Sequence, residues 1–350
     1  MRAREKGYRM SKRNSGNNPE EKTDLRIRRT KKSIRDAFFE LIDENGFDSV
    51  TVKDITDRAL ISRNTFYLHY EDKFDLLNKI SNELMRKVYW RVSKDLIKIK
   101  DGQELLATPV TLSLFRPATD NDNRDRNGAY LWRKAGLNQL TQKVVSLKDG
   151  KKAATAKVEI LNAKGMKVGD ADFAYSLNSV GALKVKVTFR PDTAVVKSMA
   201  RLGLTFEMND TYGNVAYLGR GDNETYSDRM QSGKIGLYQT TAERMFHYYV
   251  TPQSTGNRTD VRWMKLTDEA GQGIFVDSNR PFQFSVISFA DDVLEKARHI
   301  NDLERNGHVT VHLDAEQAGV GTATCGPGVQ PQYRVPVTEQ SFEFTLRTVK

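Results

Sequence analysis

The chain has one cysteine, Cys325, and so cannot close a disulfide on itself, which excludes the small disulfide-stapled secreted scaffolds. No basic residue stands near it in sequence, so it reads as a buried, inert thiol. No apolar run approaches the length of a membrane span, and the basic N-terminus has no apolar leader core, which makes the cytoplasm the expected compartment and a membrane partner unexpected. Phosphate-cradling glycine loops, zinc-type clusters and nucleophile elbows are missing. His69 has no second His or Cys at ligand spacing. The run Asp120–Asp125 superficially suggests a calcium loop, but Arg124 holds the fifth place, the sixth is not glycine, and the twelfth is Leu131. No metal and no cofactor is expected.

What is abundant is positive charge, and it is unevenly placed. The chain carries a net +10, yet residues 1–100 hold 24 Lys+Arg against 16 Asp+Glu while residues 101–350 hold 31 against 29. Residues 1–35 alone have 13 basic and 4 acidic side chains. Such an arm suits counterion release from nucleic acid, or serves only as a solubilising tail. The Asn, Ser, Gly and Pro content of Ser11–Pro19 argues for disorder over residues 1–22 on either reading.

The strongest motif follows it. Ile34, Ala37, Phe38, Leu41 and Ile42 fall on one stripe of a helix that should end near Asn45-Gly46. Thr51 with Asp54 three residues on forms a capping-box pattern, and Val52, Ile55 and Ala59 would face the first helix. Ser62 caps a short third helix, Arg63 to Tyr70, and a fourth is expected from Asp72 to about Lys94. A trihelical unit of this kind buries its stripes and frees the start of its third helix for a major groove. Double-stranded DNA is the expected partner.

Thr51-Val52-Lys53-Asp54-Ile55, Ser62, Thr65-Phe66-Tyr67, His69-Tyr70 and Lys73 resemble the DNA-binding domain of the tetracycline-repressor (TetR) family of bacterial transcription regulators, over about residues 24–90. The resemblance implies phosphate contacts from Thr51 and Lys73. It makes the capping residue Ser62 a DNA contact as well, places Arg63, Asn64, Thr65 and Tyr67 along the groove, and sets His69 and Tyr70 near the DNA backbone. Arg can reach guanine bidentately and Asn adenine, so the residue types agree. One departure stands out: many members carry Gly in the turn where this chain has Leu60-Ile61.

From about Asp101 the helical period gives way to short alternating runs, Val185–Phe189, Leu204–Phe206, Val309–Leu313 and Phe342–Leu346, separated by turn residues. These predict one large all-β body of the sandwich type. Arg116-Pro-Ala-Thr-Asp-Asn-Asp122, Tyr217–Arg229 and Thr251–Trp263 resemble the terminal domain of glycoside hydrolase family 2 β-galactosidases, over about residues 101–350. That resemblance implies a β-supersandwich similar to galactose mutarotase. The family's catalytic glutamates lie in a TIM barrel, and no segment here has eight βα repeats, so hydrolysis by this chain alone is not expected. The family's terminal domain also lends the sugar site a loop, often with a Trp; the matching stretch is Cys325–Pro331, with Val329 about where that Trp would be. Asp120, Asp122, Glu224, Arg229 and Val329 are the candidate carbohydrate contacts, with structural pairing as the competing reading for Glu224 and Arg229.

The expected organisation is thus a basic tail (1–22), a TetR-type helix-turn-helix domain (23–94), a junction (95–100) and a β-supersandwich (101–350), a multidomain α plus β fold. No Gly/Ser or Pro linker separates the halves, and the helices that dimerise TetR regulators have no counterpart. The expected function is DNA binding by a head fused to a noncatalytic β-galactosidase domain, with each head acting alone. The alternative is a β-galactosidase small-chain component that binds a galactoside or complements a separate large chain. The join falls between about Tyr89 and Gly102, where Ile97–Leu105 also reads as a hairpin on an Asp-Gly turn.

Overall fold

The computed structural model describes residues 19–92, 105–150 and 152–349, with backbone alone for residues 19–24, 85–92 and 149. The chain divides into two compact units, residues 1–76 and 77–350.

The first unit is helical. Helix α1 runs Pro19–Asn45, so the last four residues of the expected tail belong to it, while residues 1–18 lie outside the described residues. It stops where expected, with Gly46 at φ +74°, a left-handed geometry that glycine adopts without strain. Ile34, Ala37, Phe38 and Leu41 are buried along one side, and the Ser33 hydroxyl donates to the Ala59 carbonyl at 3.0 Å. Helix α2, Val52–Arg58, opens on the anticipated box. Asp54 N–H donates to Thr51 Oγ1 at 3.2 Å, and the Asp54 carboxylate accepts the Thr51 N–H at 2.9 Å. Arg58 at its far end clasps Glu44 through two bonds, 2.9 and 2.7 Å, and reaches Glu40 at 3.3 Å, tying α2 back to α1.

The turn after α2 holds Leu60 at φ +55°, and its side chain is 92% exposed. A leucine therefore sits in the left-handed conformation that the glycine of related sequences would take without cost. Helix α3 is shorter than expected, Arg63–Tyr67, although bonds from His69 and Tyr70 N–H to the Phe66 carbonyl continue the coil to residue 70. Helix α4 is Lys73–Val92, and Leu76, Leu77 and Ile80 are buried. The side chains of Val88, Trp90 and Val92, and the join with its alternative hairpin up to Glu104, fall outside what is described.

The second unit is a twelve-stranded antiparallel assembly with short helices in its loops. Its strands are β1 (Thr111–Ser113), β2 (Leu140–Asp149), β3 (Ala153–Asn162), β4 (Lys167–Leu177), β5 (Leu183–Pro191), β6 (Arg201–Asn209), β7 (Asn214–Gly221), β8 (Lys234–Thr241), β9 (Arg258–Thr267), β10 (Gly273–Ile287), β11 (His308–Gln317) and β12 (Gln340–Val349). The four alternating runs of the sequence lie inside β5, β6, β11 and β12. The hydrogen-bonded order is β1-β6-β11-β10-β12-β5-β4-β3-β2, with β9, β7 and β8 branching from β10.

The branch exists because β10 is long. Residues 273–277 pair with β12 on one side and β9 on the other, and after an irregularity between Asp277 and Phe282 the second half pairs with β11. Period-two burial packs Val185, Val187, Phe189, Leu204, Phe206, Val311, Leu313, Phe342, Phe344 and Leu346 into one core, all at most 4% exposed. Helix α5 (Asp120–Arg124), α6 (Ala129–Ala135), α7 (Ala242–Met245) and α8 (Asp291–Lys296) fill the loops. Among the described residues no helix is long and apolar enough to cross a membrane.

Candidate functional site

The helical unit presents α3 as a short platform. The Ser62 hydroxyl accepts the Thr65 N–H at 3.1 Å and pairs with the Thr65 hydroxyl at 2.9 Å, so both residues help to hold the helix start. Phe66 is fully buried and anchors the helix from beneath, touching Tyr67 edge-on and Tyr70. Arg63 and Asn64 are exposed, and Tyr67 is 55% exposed. Neither Arg63 nor Asn64 has an ion pair or side-chain hydrogen bond to any described residue.

Three of the expected DNA contacts are placed differently. Thr51 gives both its N–H and its hydroxyl (2.6 Å) to Asp54, leaving it no donor for a phosphate; the exposed Lys53 stands two residues on. Lys73 is turned inward. Its ammonium donates to the carbonyls of Phe47, Asp48 and Val50 at 3.1, 3.0 and 2.9 Å and lies over the Phe47 and Phe74 rings at 4.8 and 5.5 Å. An ammonium has three protons, and all three are taken. Lys73 thus braces the connection between α1 and α2. Tyr70 is 7% exposed and packs on Phe66, so it belongs to the core, while His69 is half-buried beside it.

In the sandwich the three long motifs converge on one another. Arg116 is fully buried and uses all five of its N–H groups: two on Asp122 (3.0 and 2.8 Å), and the others on the Ala318 and Gly319 carbonyls and Gln317 Oε1. Its plane lies between Trp132 and Tyr226, with centroids 5.6 and 5.7 Å away. Asp122 also accepts the Thr119 N–H at 3.0 Å, and at 1% exposure it is a buried counter-ion to Arg116.

Asp228 of the second motif accepts the Val320 and Gly321 N–H at 3.0 and 2.7 Å, and Asn121 holds Gly321 and Thr324. Asp125 accepts the Val329 N–H at 2.9 Å, and Gly328 passes so close to it that a β-carbon there would stand 2.5 Å from the carboxylate carbon. Val329 is 6% exposed, packed under this clamp, and offers no platform for stacking. Cys325, expected buried, is exposed, because it rides the tight turn between Thr322 and Gly328.

Glu224 joins the second and third motifs. Its carboxylate accepts from Tyr249 (2.5 Å), Arg229 (2.7 Å), Thr255 (2.8 Å) and the Gly256 N–H (3.0 Å). Burial pushes its pKa up, but these donors, Tyr249 foremost, outweigh it and hold the group below the ordinary carboxylate range. The same environment pushes the Tyr249 hydroxyl up to about 12, through burial first and the Glu224 hydrogen bond second. Arg229 keeps about half its side chain exposed. Asp120 alone of the five sugar candidates is an exposed carboxylate, linked to Gln253 at 3.2 Å. Sequence reasoning missed Asn121, Asp228 and Gln253. All three stand inside the quoted motifs or beside their charged residues, but which loop each would hold is not written in their spacing.

A trihelical head of the helix-turn-helix class and a β-supersandwich whose loops are clamped by buried ion pairs define a two-module protein. A family model for bacterial regulatory proteins of the tetR family matches residues 34–80, and one for the β-galactosidase small chain matches residues 90–346. The chain belongs to the β-galactosidase small-chain family and carries a TetR-type N-terminal domain fused to it.

Among its relatives are β-galactosidases of Actinobacillus pleuropneumoniae (25% identical, covering 71% of this chain and 24% of that protein) and Kluyveromyces lactis (28%, covering 67% and 23%). The chain spans about a quarter of the length of the curated relatives it matches. A GalM/aldose epimerase homologue from C. elegans aligns at 10% identity over 60% of this chain and 68% of its own, with a TM-score of 0.34.

Proposed function

We propose that the head binds double-stranded DNA through α3 and that the fused sandwich is noncatalytic, in a bacterial cytoplasmic protein. The observation that carries this reading is the division of labour on α3. Ser62, Thr65 and Phe66 build and anchor the helix, while Arg63, Asn64 and Tyr67 stand exposed on it. Arg63 and Asn64 are suited to base edges, and Lys53 takes the phosphate role first expected of Thr51 and Lys73.

The test is fluorescence anisotropy with a labelled random-sequence duplex across a salt series. Lys53→Ala should weaken binding and reduce the salt slope by roughly one, as for one lost phosphate contact. Arg63→Ala with Tyr67→Ala should abolish any preference among selected sequences. Lys73→Met should instead lower the head's stability by about 2 kcal/mol, the scale of hydrogen bonds made by a charged group, and leave the salt slope unchanged. A random-duplex affinity indifferent to Lys53 and Arg63 alike would refute the DNA reading.

For the sandwich, Asp122 and Glu224 are engaged in ion pairs and hydrogen bonds, which supports a structural role over acid and base work at a glycosidic bond. A purified chain should leave a chromogenic galactoside intact. The family match over residues 90–346 favours a second reading, in which the sandwich complements a separate barrel-bearing chain. Activity appearing only on mixing with such a chain would establish it.

A further inference from the structure

Strand β8 is an edge strand left open. It bonds to β7 on one side through eight residues in unbroken register, Asn214 to Thr241 through Gly221 to Lys234, and among the described residues to no strand on the other. The Tyr238 hydroxyl also donates to the Lys234 carbonyl at 2.9 Å. Edges of this length are ordinarily blunted by charge, proline or a bulge. Between Ile235 and Thr241 there is no charged residue, no proline and no register shift.

Its outward face is apolar as well. Leu237 is 66% and Ile235 48% exposed, and the row continues inward through Leu218, opposite Leu237, to Trp263, opposite Leu218.

We infer that β8 is a self-pairing edge that joins two copies of this chain into a two-fold dimer with a continuous sheet. A two-fold axis normal to the sheet keeps outward faces outward, so identical strands can pair antiparallel with Leu237 opposite its own copy. In that register Ile235 meets Gln239 of the copy, Tyr238 meets Gly236, and Lys234, the one charged residue of the strand, meets Thr240. No like charges face each other, and the side chains Trp263, Leu218, Leu237 form one apolar stripe with their equivalents across the axis.

A strand of this length is about 26 Å long, and pairing would cover roughly 1,000 Å² in total, at the threshold for a specific interface. The affinity should therefore be modest, with a Kd on the order of 10 µM. This inference does not rest on the DNA reading.

The test is sedimentation of the full chain and of two exposed-site variants, Leu237→Lys and Leu237→Asp, each checked for an unchanged melting profile. Wild type should sediment as a concentration-dependent dimer. Each variant should be monomeric, because like charges face each other on the axis, and an equimolar mixture of the two should recover a heterodimer. Val180→Lys, at an apolar site 80% exposed elsewhere on the sandwich, should dimerise as wild type does. A wild type that stays monomeric at hundreds of micromolar, a dimer indifferent to Leu237→Lys, or a mixture that fails to recover the heterodimer would each overturn the inference. Binding of the monomer to a barrel-bearing large chain through Leu237 would overturn it too, and would assign the edge to that partner.

Discussion

Leu60 shows how much one residue can hold in reserve. Its φ of +55° costs a residue with a β-carbon on the order of 1–2 kcal/mol, part of which glycine would give back through its freer unfolded chain. The side chain is 92% exposed, so removing it forfeits no packing. Leu60→Gly should therefore stabilise the head by about 0.5–1 kcal/mol, read as an upward shift of its helical melting transition. A neutral or destabilising result would mean that the turn relaxes in solution to a geometry leucine tolerates. Lys73 carries the complementary lesson: a lysine in a DNA-binding register can be consumed by carbonyls of its own fold, and the tertiary structure decides which way it points.

At the scale of elements, the sandwich loops are held to one another by buried charges rather than by apolar contact alone. Glu224 binds the loop of the second motif to that of the third, and four donors fix it. Because its folded pKa lies below its ordinary value of 4.5, its contribution to stability is complete above that value and is lost as pH falls through the lower, folded pKa. Glu224→Gln should cost the sandwich about 2–3 kcal/mol at neutral pH, and it should flatten the stability profile below about pH 4.5 relative to wild type. Chemical denaturation across that acid range measures both. A profile identical in the two proteins would show that the carboxylate is solvated rather than clamped.

For the whole molecule, the two modules raise a question of stoichiometry. A helix-turn-helix head of this type reads palindromic half-sites about one helical turn apart, which takes two heads in one assembly. The sequence reading expects no counterpart of the helices that make the TetR dimer, and hence a lone head. Self-pairing of β8 would offer another route to two heads. If both the DNA reading and the β8 dimer hold and the geometry permits both heads to engage, Leu237→Lys should leave binding to a single half-site unchanged. It should weaken binding to the palindrome by on the order of 10² or more, the scale of linked sites. Titration of the two duplexes side by side makes the comparison, and equal losses on both would exclude coupling through the strand.

Much of this protein was legible in its sequence, because local periodicity and capping chemistry are local facts. The stripe Ile34 to Leu41, the Thr51/Asp54 box, the Ser62 cap and the stop at Asn45-Gly46 all depend on residues within a turn or two of one another, and they stand as read. The alternating runs lie within β5, β6, β11 and β12 for the same reason. What the sequence could not decide was where long-range partners would be found. Arg116 meets carbonyls some two hundred residues away, Asp125 meets Val329, and the first part of β10 serves two neighbours at once, one on each side, before its second half reaches β11. Those pairings place the sugar candidates Asp122 and Val329 in buried, structural contacts. A side chain's chemistry is set by its own atoms, but whether that chemistry is spent or spare depends on which distant backbone the fold brings beside it.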